Sequence, residues 1–460
     1  MGSEWPRVCI ADVCELIVDC VNKTAPIANS PTPYKMVRTP NVKNGRVSTE
    51  GCKFVTKATF EKWTRRAEVK VNDVLLTREA PLGEVGIVKS GQNLFLGQRL
   101  MQYRADTAVL DPDYLVYAFL SHDLQHQFKM HEGSGSVVSH IRVGDCSRFE
   151  LNLPPLAIQR QIASILGTLD KRIELNRQTN TTLESIAQAL FKSWFVDFDP
   201  VIDKALAAGN PIPEPLHARA EARKTLGDQR KPLPAAIQHQ FSDRFVLTEE
   251  MGWVPAGWEP VSLDEIIDLI GGGTPKTSVE DYWGGDIPWF SVVDAPSPSD
   301  VFVSRTEKYI SQLGLENSST KLLPEGTTII SARGTVGKCA LAGQPMAINQ
   351  SCYGVRGKTG IADYFVYYTI LLRVSELQQR GHGSVFNTIT RDTFKSIVTP
   401  RSPSGLSIAF HDVIAPYFSR ILENNQQSDS LARMRDTLLP KLLSGELRVP
   451  DAEAQLAEVM

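Results

Sequence analysis

The chain has 460 residues, of which 42% are hydrophobic and 22% charged, and its formal net charge is −3. No run of about 18 apolar residues occurs, so the sequence predicts no membrane span. The N-terminal residues lack a basic stretch followed by an apolar one, so no signal peptide is predicted. A net charge near zero excludes a generally basic nucleic-acid-binding chain, so any such contact depends on local patches. The seven irregularly spaced cysteines favour reduced thiols in a cytoplasm.

Residues 1–153 are predicted to form a mixed domain of short strands and helices. The sequence predicts an opening strand and a short helix between Trp5 and Val18, a strand from Val74, and a helix over residues 113–130. Turn residues separate these pieces, which is typical of a domain built from short elements.

Residues 33–70 are basic, with ten lysines and arginines against three glutamates, and four aromatic residues are interleaved with them. Lysine and arginine neutralise phosphates, and arginine can also read base edges. A solvated charged face is the alternative for any single residue. The candidate nucleic-acid contacts of this half of the chain are Lys35, Arg38, Lys43, Arg46, Lys57, Arg65, Arg66, Arg78 and Arg99.

Residues 154–198 contain a predicted long helix, because apolar residues recur there at steps of three and four. A helix from Leu156 to Trp194 would be about 60 Å long. Its apolar stripe is too long for a small domain to cover, so it needs a partner helix. Residues 199–250 follow as a connector, with four prolines between Pro200 and Pro215, and are predicted to be a mostly exposed linker with a short helix.

Residues 251–402 repeat the first domain at an offset that drifts from 253–255 to 248 residues. Trp258 matches Trp5, and Gln350 matches Gln98. The segment DYFVY at 363–367 matches DYLVY at 113–117, and residues 381–385 match residues 133–137. In this half the candidate nucleic-acid contacts are Lys276, Arg305, Lys308, Arg333, Lys338, Asn349 and Gln350.

Residues 403–446 repeat the long helix at an offset of 248, including the polar centre of its seam, and residues 447–460 are predicted to be a frayed tail. We expect the two helices to pack as an antiparallel coiled coil in an α+β fold with a pseudo-two-fold repeat. Two unrelated amphipathic helices in two ordinary cores are the alternative. The predicted seam consists of Ile162, Ile165, Leu169, Arg172, Asn176, Leu183, Ile186, Leu190, Phe410, Val413, Tyr417, Arg420, Asn424, Leu431, Met434 and Leu438.

Two glycine-rich segments resemble nucleotide-binding loops only in part. A phosphate-binding loop over 332–339 would need glycine and a hydroxyl residue where Ala332 and Cys339 stand. We therefore interpret residues 334–339 as a tight turn after a strand. The run 271–273 lacks the strand and helix of a dinucleotide-binding motif and is predicted to be a flexible loop.

Other residues with possible chemistry favour ordinary structural roles. The segment 111–114 (DPDY) is close to the DPPY of amino-methyltransferases, but a helix start with Pro112 in its first turn is favoured. His122 and His126 have the i, i+4 spacing of a zinc-binding pair, but with His131 they lack both the His-Glu-x-x-His motif and a cysteine pair, so surface helix positions are favoured. The sequence predicts no catalytic set and no metal ligands.

Four motifs together resemble the DNA-specificity subunits of type I restriction–modification systems. They are LPPLAIQRQI at 153–162, WFVDF at 194–198, SARGTVG at 331–337 and LLPKLLSGEL at 438–447. The second helix departs from the family pattern at 401–405 (RSPSG), where the family opening has two prolines followed by Gln-Arg.

The resemblance implies two target recognition domains, 1–153 and 251–402, two conserved helices, 154–198 and 403–446, a linker at 199–250 and a tail at 447–460. Each recognition domain would read one half of a bipartite site in double-stranded DNA. The helices would set the spacer between the half-sites and dock two modification (methyltransferase) subunits, which restriction subunits would join.

This chain would then hold no cofactor, because S-adenosylmethionine, ATP and magnesium belong to the partner subunits. Two alternatives stay open at this point. One is a single chain that both methylates and cuts DNA, which would need a cofactor loop and metal-binding carboxylates. The other is a scaffold with no nucleic-acid role.

Overall fold

The computed structural model describes residues 5–130, 140–229, 232–297, 300–381, 388–403 and 405–457. The chain divides into two compact units: unit 1 contains Met1–Ile173 and Ser430–Met460, and unit 2 contains Glu174–Asp429. These boundaries differ from the predicted ones because they cross both long helices, whose two ends belong to different cores. The predicted match of residues 133–137 with 381–385 lies outside the described residues except at Gly381.

Unit 1 begins with short strands and helices. The helix predicted over 113–130 is two helices, because Ser121 has an extended backbone. The strands are β1 (Arg7–Cys9), β2 (Cys14–Asp19), β3 (Lys35–Val37), β4 (Val42–Lys43), β5 (Gly45–Val47), β6 (Lys53–Phe54), β7 (Val74–Thr77), β8 (Val85–Ile87), β9 (Leu94–Leu96), β10 (Leu100–Ala105) and β11 (Glu150–Asn152), and the helices are α1 (Lys57–Trp63), α2 (Pro112–Leu120) and α3 (His122–Met130).

The main sheet of unit 1 has the strand order β2-β10-β7-β8-β5-β4. Its pairs are antiparallel except β5 with β8, which is parallel. A smaller sheet has the order β6-β3-β9 with β3 and β9 parallel, and β1 pairs with β11. All four residues of the central strand β7 are buried, which is why its sequence reads as a continuous apolar run rather than an alternating one.

The long helix α4 (Leu156–Phe195) leads into the connector and the second repeat. The connector and the hairpin after it contain α5 (Asp199–Ala208), α6 (His217–Leu226), α7 (Ala235–Gln238), β12 (Phe245–Thr248) and β13 (Gly252–Pro255). The repeat contains β14 (Glu259–Ser262), α8 (Leu263–Ile266), β15 (Ile267–Gly271), β16 (Trp283–Phe290), β17 (Phe302–Val303), β18 (Tyr309–Ile310), α9 (Gln312–Glu316), β19 (Thr328–Ser331), β20 (Cys339–Ala342), β21 (Ala347–Ile348), β22 (Cys352–Gly357), α10 (Asp363–Arg380), α11 (Arg391–Lys395) and β23 (Val398–Arg401).

Unit 2 has the topology of unit 1. Its main sheet has the order β15-β22-β19-β20-β17, its smaller sheet the order β18-β16-β21, and β14 pairs with β23. Even the parallel pairs recur, since β17 is parallel to β20 and β16 to β21. Each strand of these sheets recurs except β4, the edge strand of the first main sheet, which has no counterpart among the described strands of the second, so the repeat predicted from the sequence is confirmed.

The second long helix, α12 (Leu406–Ser444), packs against α4 within each unit. In unit 1, Leu169 and Leu438 are buried in one core, and Arg435 donates a hydrogen bond of 2.8 Å to Asp170. In unit 2, the ring of Phe191 lies 5.7 Å from that of Phe410. Residue numbers rise along one helix as they fall along the other, so the predicted antiparallel pair is confirmed.

The buried faces of the helices differ from the predicted seam in phase. Ile186 is 46% exposed while Ala187 is buried, and Arg420 is exposed beside Glu423 while Ile421 is buried. The predicted seam followed a strict heptad, whereas a straight helix repeats every 3.6 residues and drifts from it. The predicted seam residues that are half-buried are Arg172, Leu183, Leu190, Val413, Tyr417 and Met434, and those that are buried are Ile162, Ile165, Leu169, Asn176, Phe410, Asn424, Leu431 and Leu438.

The middle of the helix pair, within unit 2, is a buried cluster of amides. Asn176 donates to the side chains of Gln427 (2.9 Å) and Ser428 (3.2 Å). Asn424, its partner in the repeat, donates to the Oδ1 atom of Asn180 at 2.8 Å. The two halves of the cluster mirror each other, because Asn180 and Ser428 are also related by the offset of 248.

The connector and the tail are more ordered than the sequence predicts. Val201, Ile202 and Ala205 of α5 are buried, whereas most described residues from 221 to 240 are exposed. The expectation of an exposed linker is therefore wrong for its first helix. The tail forms α13 (Val449–Ala457), and Val449 and Ala452 are buried in the core of unit 1, so the predicted frayed tail is wrong there.

The connector is held to the end of α4 by the buried carboxylate of Asp199. Arg219 donates two hydrogen bonds of 2.7 Å to it, and Ser193 donates a third of 2.7 Å. Burial raises the pKa of Asp199, but these hydrogen bonds and the charges of Arg219 and Arg223 outweigh burial and hold the pKa below its ordinary value of 3.8.

Replacing Asn424 with Ala should destabilise the protein by about 1–3 kcal/mol, because the Oδ1 atom of buried Asn180 loses its donor. Changing both Asn180 and Asn424 to Leu should restore most of the stability and loosen the register of the helices. Calorimetric melting measures both effects, with Gln188→Ala, an exposed amide on the facing helix α4, as control. Equal melting of Asn424→Ala and Gln188→Ala would contradict a role for the cluster.

Replacing Asp199 with Asn should lower the melting temperature by a few degrees at pH 7. A carboxyl whose pKa is lowered in the folded state stabilises that state above its ordinary pKa and loses this effect as the pH falls through the folded value. The difference from wild type should therefore persist from pH 7 to about pH 4 and shrink below pH 3.8. The exposed Asp286→Asn is the control, and a difference that does not change with pH would count against the ion pair.

Candidate functional site

Three segments meet at the same place in each repeat. In unit 1 they are the hairpin loop 78–84 between β7 and β8, the loop 97–99 between β9 and β10, and residues 140–142. The backbone N–H of Arg78 donates to the carbonyl of Arg99 (2.8 Å), and that of Ile141 donates to the carbonyl of Arg78 (3.0 Å). We call these segments loop cluster 1.

Loop cluster 2, in unit 2, consists of the hairpin loop 332–338, the loop 349–351 and residues 388–390. Its backbone bonds are the same: Ala332 N–H donates to the carbonyl of Ser351 (2.7 Å), and Ile389 N–H donates to the carbonyl of Ala332 (2.9 Å). Two stretches of chain with different sequences therefore build one and the same frame.

A buried hydroxyl at the end of the preceding strand shapes each hairpin loop. Thr77 accepts a hydrogen bond of 2.9 Å from the N–H of Glu84, and Ser331 accepts one of 2.9 Å from the N–H of Lys338. A glycine with positive φ, Gly83 or Gly337, closes each loop. Residues 334–339 therefore form the tight turn predicted from the sequence and not a phosphate-binding loop.

An exposed glutamine stands in each cluster and contacts a threonine. The hydroxyl of Thr24 donates to the Oε1 atom of Gln98 at 3.2 Å, and the hydroxyl of Thr274 donates to the same atom of Gln350. The sequence identified the matching glutamines but missed both threonines. Their similar offset, 250 against 252 for the glutamines, is the signal that could have found them.

In the glycine run 271–273, Gly271 ends β15 and both Gly272 and Gly273 pack tightly, so the run is not the flexible loop that was predicted. A Cβ atom on Gly272 would lie 2.0 Å from the carbonyl oxygen of Asn349, and the carbonyl of Gly273 accepts a hydrogen bond of 2.9 Å from the indole of Trp289. Only glycine permits this approach, which places Thr274 against Gln350.

The structure brings together only part of the predicted basic set of unit 1. Arg78 is half-buried and donates to the carbonyl of Ile141 (3.0 Å), and Arg99 pairs with Glu79 (2.9 Å), both in loop cluster 1. Arg38 lies beside this cluster, since a Cβ on Gly97 would be 3.1 Å from its Cγ.

The other basic candidates of unit 1 are spread over its surface. Arg46 donates to the carbonyl of Asp170 (3.1 Å), Arg66 pairs with Asp19, and Lys57 lies 3.8 Å from Glu61. The remaining candidates lie on β3, on β4 and after α1; they are Lys35, Lys43 and Arg65. Contact of these residues with nucleic acid stays a prediction.

In unit 2, four predicted residues belong to loop cluster 2: Arg333, Lys338, Asn349 and Gln350. Both cations are exposed, and Asn349 accepts a hydrogen bond of 3.0 Å from the N–H of Ser351. The other three candidates lie outside the cluster. Lys276 is exposed, Lys308 lies 5.9 Å from the ring of Trp283, and Arg305 lies 3.7 Å from Asp429.

Groups that could carry covalent or metal chemistry have structural roles. Asp111 caps α2 by accepting hydrogen bonds from the N–H groups of Asp113 and Tyr114. Burial raises the pKa of Cys339 to about 12, so its thiol is protonated at neutral pH and is a poor nucleophile. Among the described residues no cluster of His, Cys, Asp and Glu could hold a metal ion; His131 lies outside them.

No helix in the described part of the chain is both long and apolar enough to cross a membrane.

Comparison with known proteins gives concordant matches. The sequence matches the family model for the type I restriction modification DNA specificity domain over residues 2–185 and 255–400. It is 28% identical over 379 residues to the type I restriction enzyme HindI specificity subunit of Haemophilus influenzae, covering 77% of this chain and 82% of that protein. A putative MjaX specificity subunit of Methanocaldococcus jannaschii is 21% identical over 389 residues, covering 82% and 79%.

A solved structure has the same fold. The S subunit of a type I restriction-modification system from M. genitalium superposes with a TM-score of 0.54 at 15% sequence identity, covering 96% of each chain. The two stretches matched by the family model each contain one repeat, so the family pattern occurs twice in this chain.

Replacing Thr77 with Val should reduce the free energy of unfolding by about 1 kcal/mol, because the N–H of Glu84 loses its acceptor. Thr77→Ser keeps the hydroxyl and should keep most of the stability. The exposed Thr107→Val is the matched control, and thermal unfolding measures all three. If Thr77→Val melted like the control, the hydroxyl would not shape the loop.

Proposed function

We propose that this chain, which belongs to the type I restriction-modification DNA specificity family, reads a double-stranded DNA target made of two half-sites, one for each repeat. The observation that carries this proposal is the pair of loop clusters. Each has the same backbone hydrogen bonds, and each presents exposed polar and charged side chains on that frame.

The two half-sites are proposed to differ in sequence. At equivalent loop positions, Arg78 stands where the second repeat has Ala332, and Glu79 where it has Arg333. Arginine donates to guanine and glutamate accepts from cytosine, so unlike side chains on one frame favour unlike bases.

The two long helices are proposed to set the spacer between the half-sites. Support comes from their continuity: α4 has 40 residues, α12 has 39, and both cross the boundary between the units. In dimeric DNA readers the separation of half-sites likewise follows protein geometry.

We also propose that the helices dock two copies of a modification subunit. The local two-fold symmetry of the buried amide cluster around Asn176 and Asn424 supports this stoichiometry, because such symmetry would give a partner two equivalent faces, one on each half of the helix pair. Restriction subunits would join that complex, as the family resemblance implies.

Within the complex this chain is the non-catalytic member. Methyl transfer from S-adenosylmethionine, and cleavage that consumes ATP and needs magnesium, belong to the partner subunits. The seven free cysteines agree with a reducing cytoplasm as the place of assembly. Nothing in the described residues favours a single-chain methyltransferase and nuclease.

Duplicating residues 177–183 and 420–426 inserts seven residues, nearly two turns, at facing positions of the two helices. Each helix becomes about 10 Å longer, which equals about three base pairs. We expect the recognised spacer to lengthen by about that number, with both half-sites unchanged. The test is sequencing of methylated DNA after co-expression of this chain with its modification subunit.

Two results would contradict the proposal in different ways. Altered half-sites with an unchanged spacer would contradict the role of the helices. If the wild-type complex methylated no bipartite motif, the proposed function itself would be wrong. Thermal unfolding of the lengthened chain shows whether it folds, and a chain lengthened in only one helix is the control for the need for paired insertions.

A further inference from the structure

The two loop clusters contain one feature that is the same in both repeats and one that is reversed. The shared feature is the threonine–glutamine contact, Thr24 with Gln98 and Thr274 with Gln350. The reversed feature is charge: the hairpin loops carry Glu79 and Glu84 in one repeat, and Arg333 and Lys338 at the same positions in the other.

The positions are equivalent by register and not only by alignment. β7 ends at Thr77 and β19 at Ser331, and both hydroxyls accept from the residue seven positions later. Counting from these hydroxyls, Glu79 and Arg333 are each the second residue of the loop. A charge reversal at a fixed position of one frame changes what the loop can bind without changing the loop.

A backbone hydrogen bond holds the residue before each glutamine in place. The N–H of Gly97, just before Gln98, donates to the carbonyl of Val37 (2.7 Å), and the N–H of Asn349, just before Gln350, donates to the carbonyl of Phe290 (2.9 Å). Val37 ends β3 and Phe290 ends β16, the equivalent strands of the smaller sheets. Each glutamine therefore stands where the smaller sheet meets the hairpin loop.

In both repeats the threonine contacts the oxygen end of the amide. Its hydroxyl donates to Oε1, while the Nε2 atom of each glutamine has no hydrogen-bond partner within the described residues. Both glutamines are exposed. The available end is thus a donor, and its complement is an acceptor such as a phosphate oxygen.

We propose that Gln98 and Gln350 are matching contacts to the DNA phosphate backbone, and that the charge-reversed residues Glu79 and Arg333 beside them distinguish the bases of the two half-sites. This proposal rests on the proposed function. The phosphate backbone is present in both half-sites whatever their sequence, so a residue that both repeats share suits a backbone contact. Phosphate contacts position a protein, whereas base contacts specify the sequence.

Glu79 forms an ion pair that bears on its proposed role. Arg99, the residue after Gln98, pairs with Glu79 at 2.9 Å and connects the hairpin loop to the glutamine loop. The second repeat has Ser351 at the position of Arg99, and the side chain of Arg333 has no partner within the described residues. The first cluster therefore presents a paired carboxylate and the second a free guanidinium.

The test uses the full chain assembled with its modification subunits. The probe is a fluorescein-labelled duplex that carries the bipartite motif identified by methylation sequencing of the wild-type complex. Gln98→Ala and Gln350→Ala should each weaken binding roughly three- to tenfold and leave the methylated motif unchanged. Gln92→Ala, an exposed glutamine in the same unit, should stay within about twofold of wild type.

Charge variants separate a phosphate contact from a base contact. Gln98→Glu should weaken binding more than Gln98→Ala at low salt, and this difference should shrink as salt rises, because repulsion from phosphate is screened. Arg333→Gln should change the bases methylated in one half-site only, and Glu79→Gln those in the other half-site. Thr24→Val should reproduce part of the loss seen for Gln98→Ala.

Several outcomes would overturn the proposal. A change of recognised bases in Gln98→Ala would make that glutamine a base reader, and binding equal to that of Gln92→Ala would remove it from the interface. If the methylated motif were unchanged in both Arg333→Gln and Glu79→Gln, these two residues would not distinguish the bases of the half-sites. A wild-type complex with no bipartite motif would instead overturn the proposed function, and this inference with it. Melting temperatures near wild type verify that each variant folds.

Discussion

The structure depends on the burial of two long apolar faces against each other. A helix of 40 residues presents a stripe that its own domain cannot cover along its whole length. The second helix supplies the missing surface, and the short domains cover the outer sides, so that Ile162 and Leu438 share one core and Phe191 and Phe410 another. Without this pairing either helix would leave much of its apolar face in water.

The amides in the middle of that pair determine how it aligns. An apolar seam tolerates sliding by a turn, because one leucine replaces another, whereas a buried amide without its partner costs free energy. Asn424 reaches the Oδ1 atom of Asn180 only in one register. A local two-fold axis relates the two halves of the cluster. The polar interruption of the apolar seam makes the register more specific and lowers the stability of the helix pair.

Much of the helix pair and its alignment was predictable from the sequence, and each wrong prediction has a physical reason. A period of 248 residues with its polar centre predicted the helix pair, because spacing and polarity survive as patterns in sequence. Ile186 and Arg420 were assigned to the seam because a strict heptad was assumed over 40 residues, where the true period drifts. The connector was misjudged because proline content says nothing about whether Val201 and Ile202 meet an apolar surface.

The site was predicted less well than the scaffold. The match of Gln98 with Gln350 was visible, but its meaning depends on Thr24 and Thr274, which are distant in sequence and come close only through the small sheets. The sequence predicted that Gly272 and Gly273 are flexible. In the structure they are glycines because another segment of backbone lies where a side chain would be. Contacts of this kind depend on three-dimensional approach, which no local pattern encodes.

The drift of the repeat offset separates the constant part of the molecule from the variable part. The offset is 254 residues at Thr77, 252 at Gln98 and 248 at Ile141. Insertions of two to four residues thus fall between these points, while the backbone bonds that join them are the same in both repeats. A frame held by backbone hydrogen bonds tolerates changes in its side chains and in the length of the segments that connect the hydrogen-bonded residues. Such a frame can exchange Glu79 for Arg333 without refolding, which is the property that two readers of different sequences built from one repeated chain require.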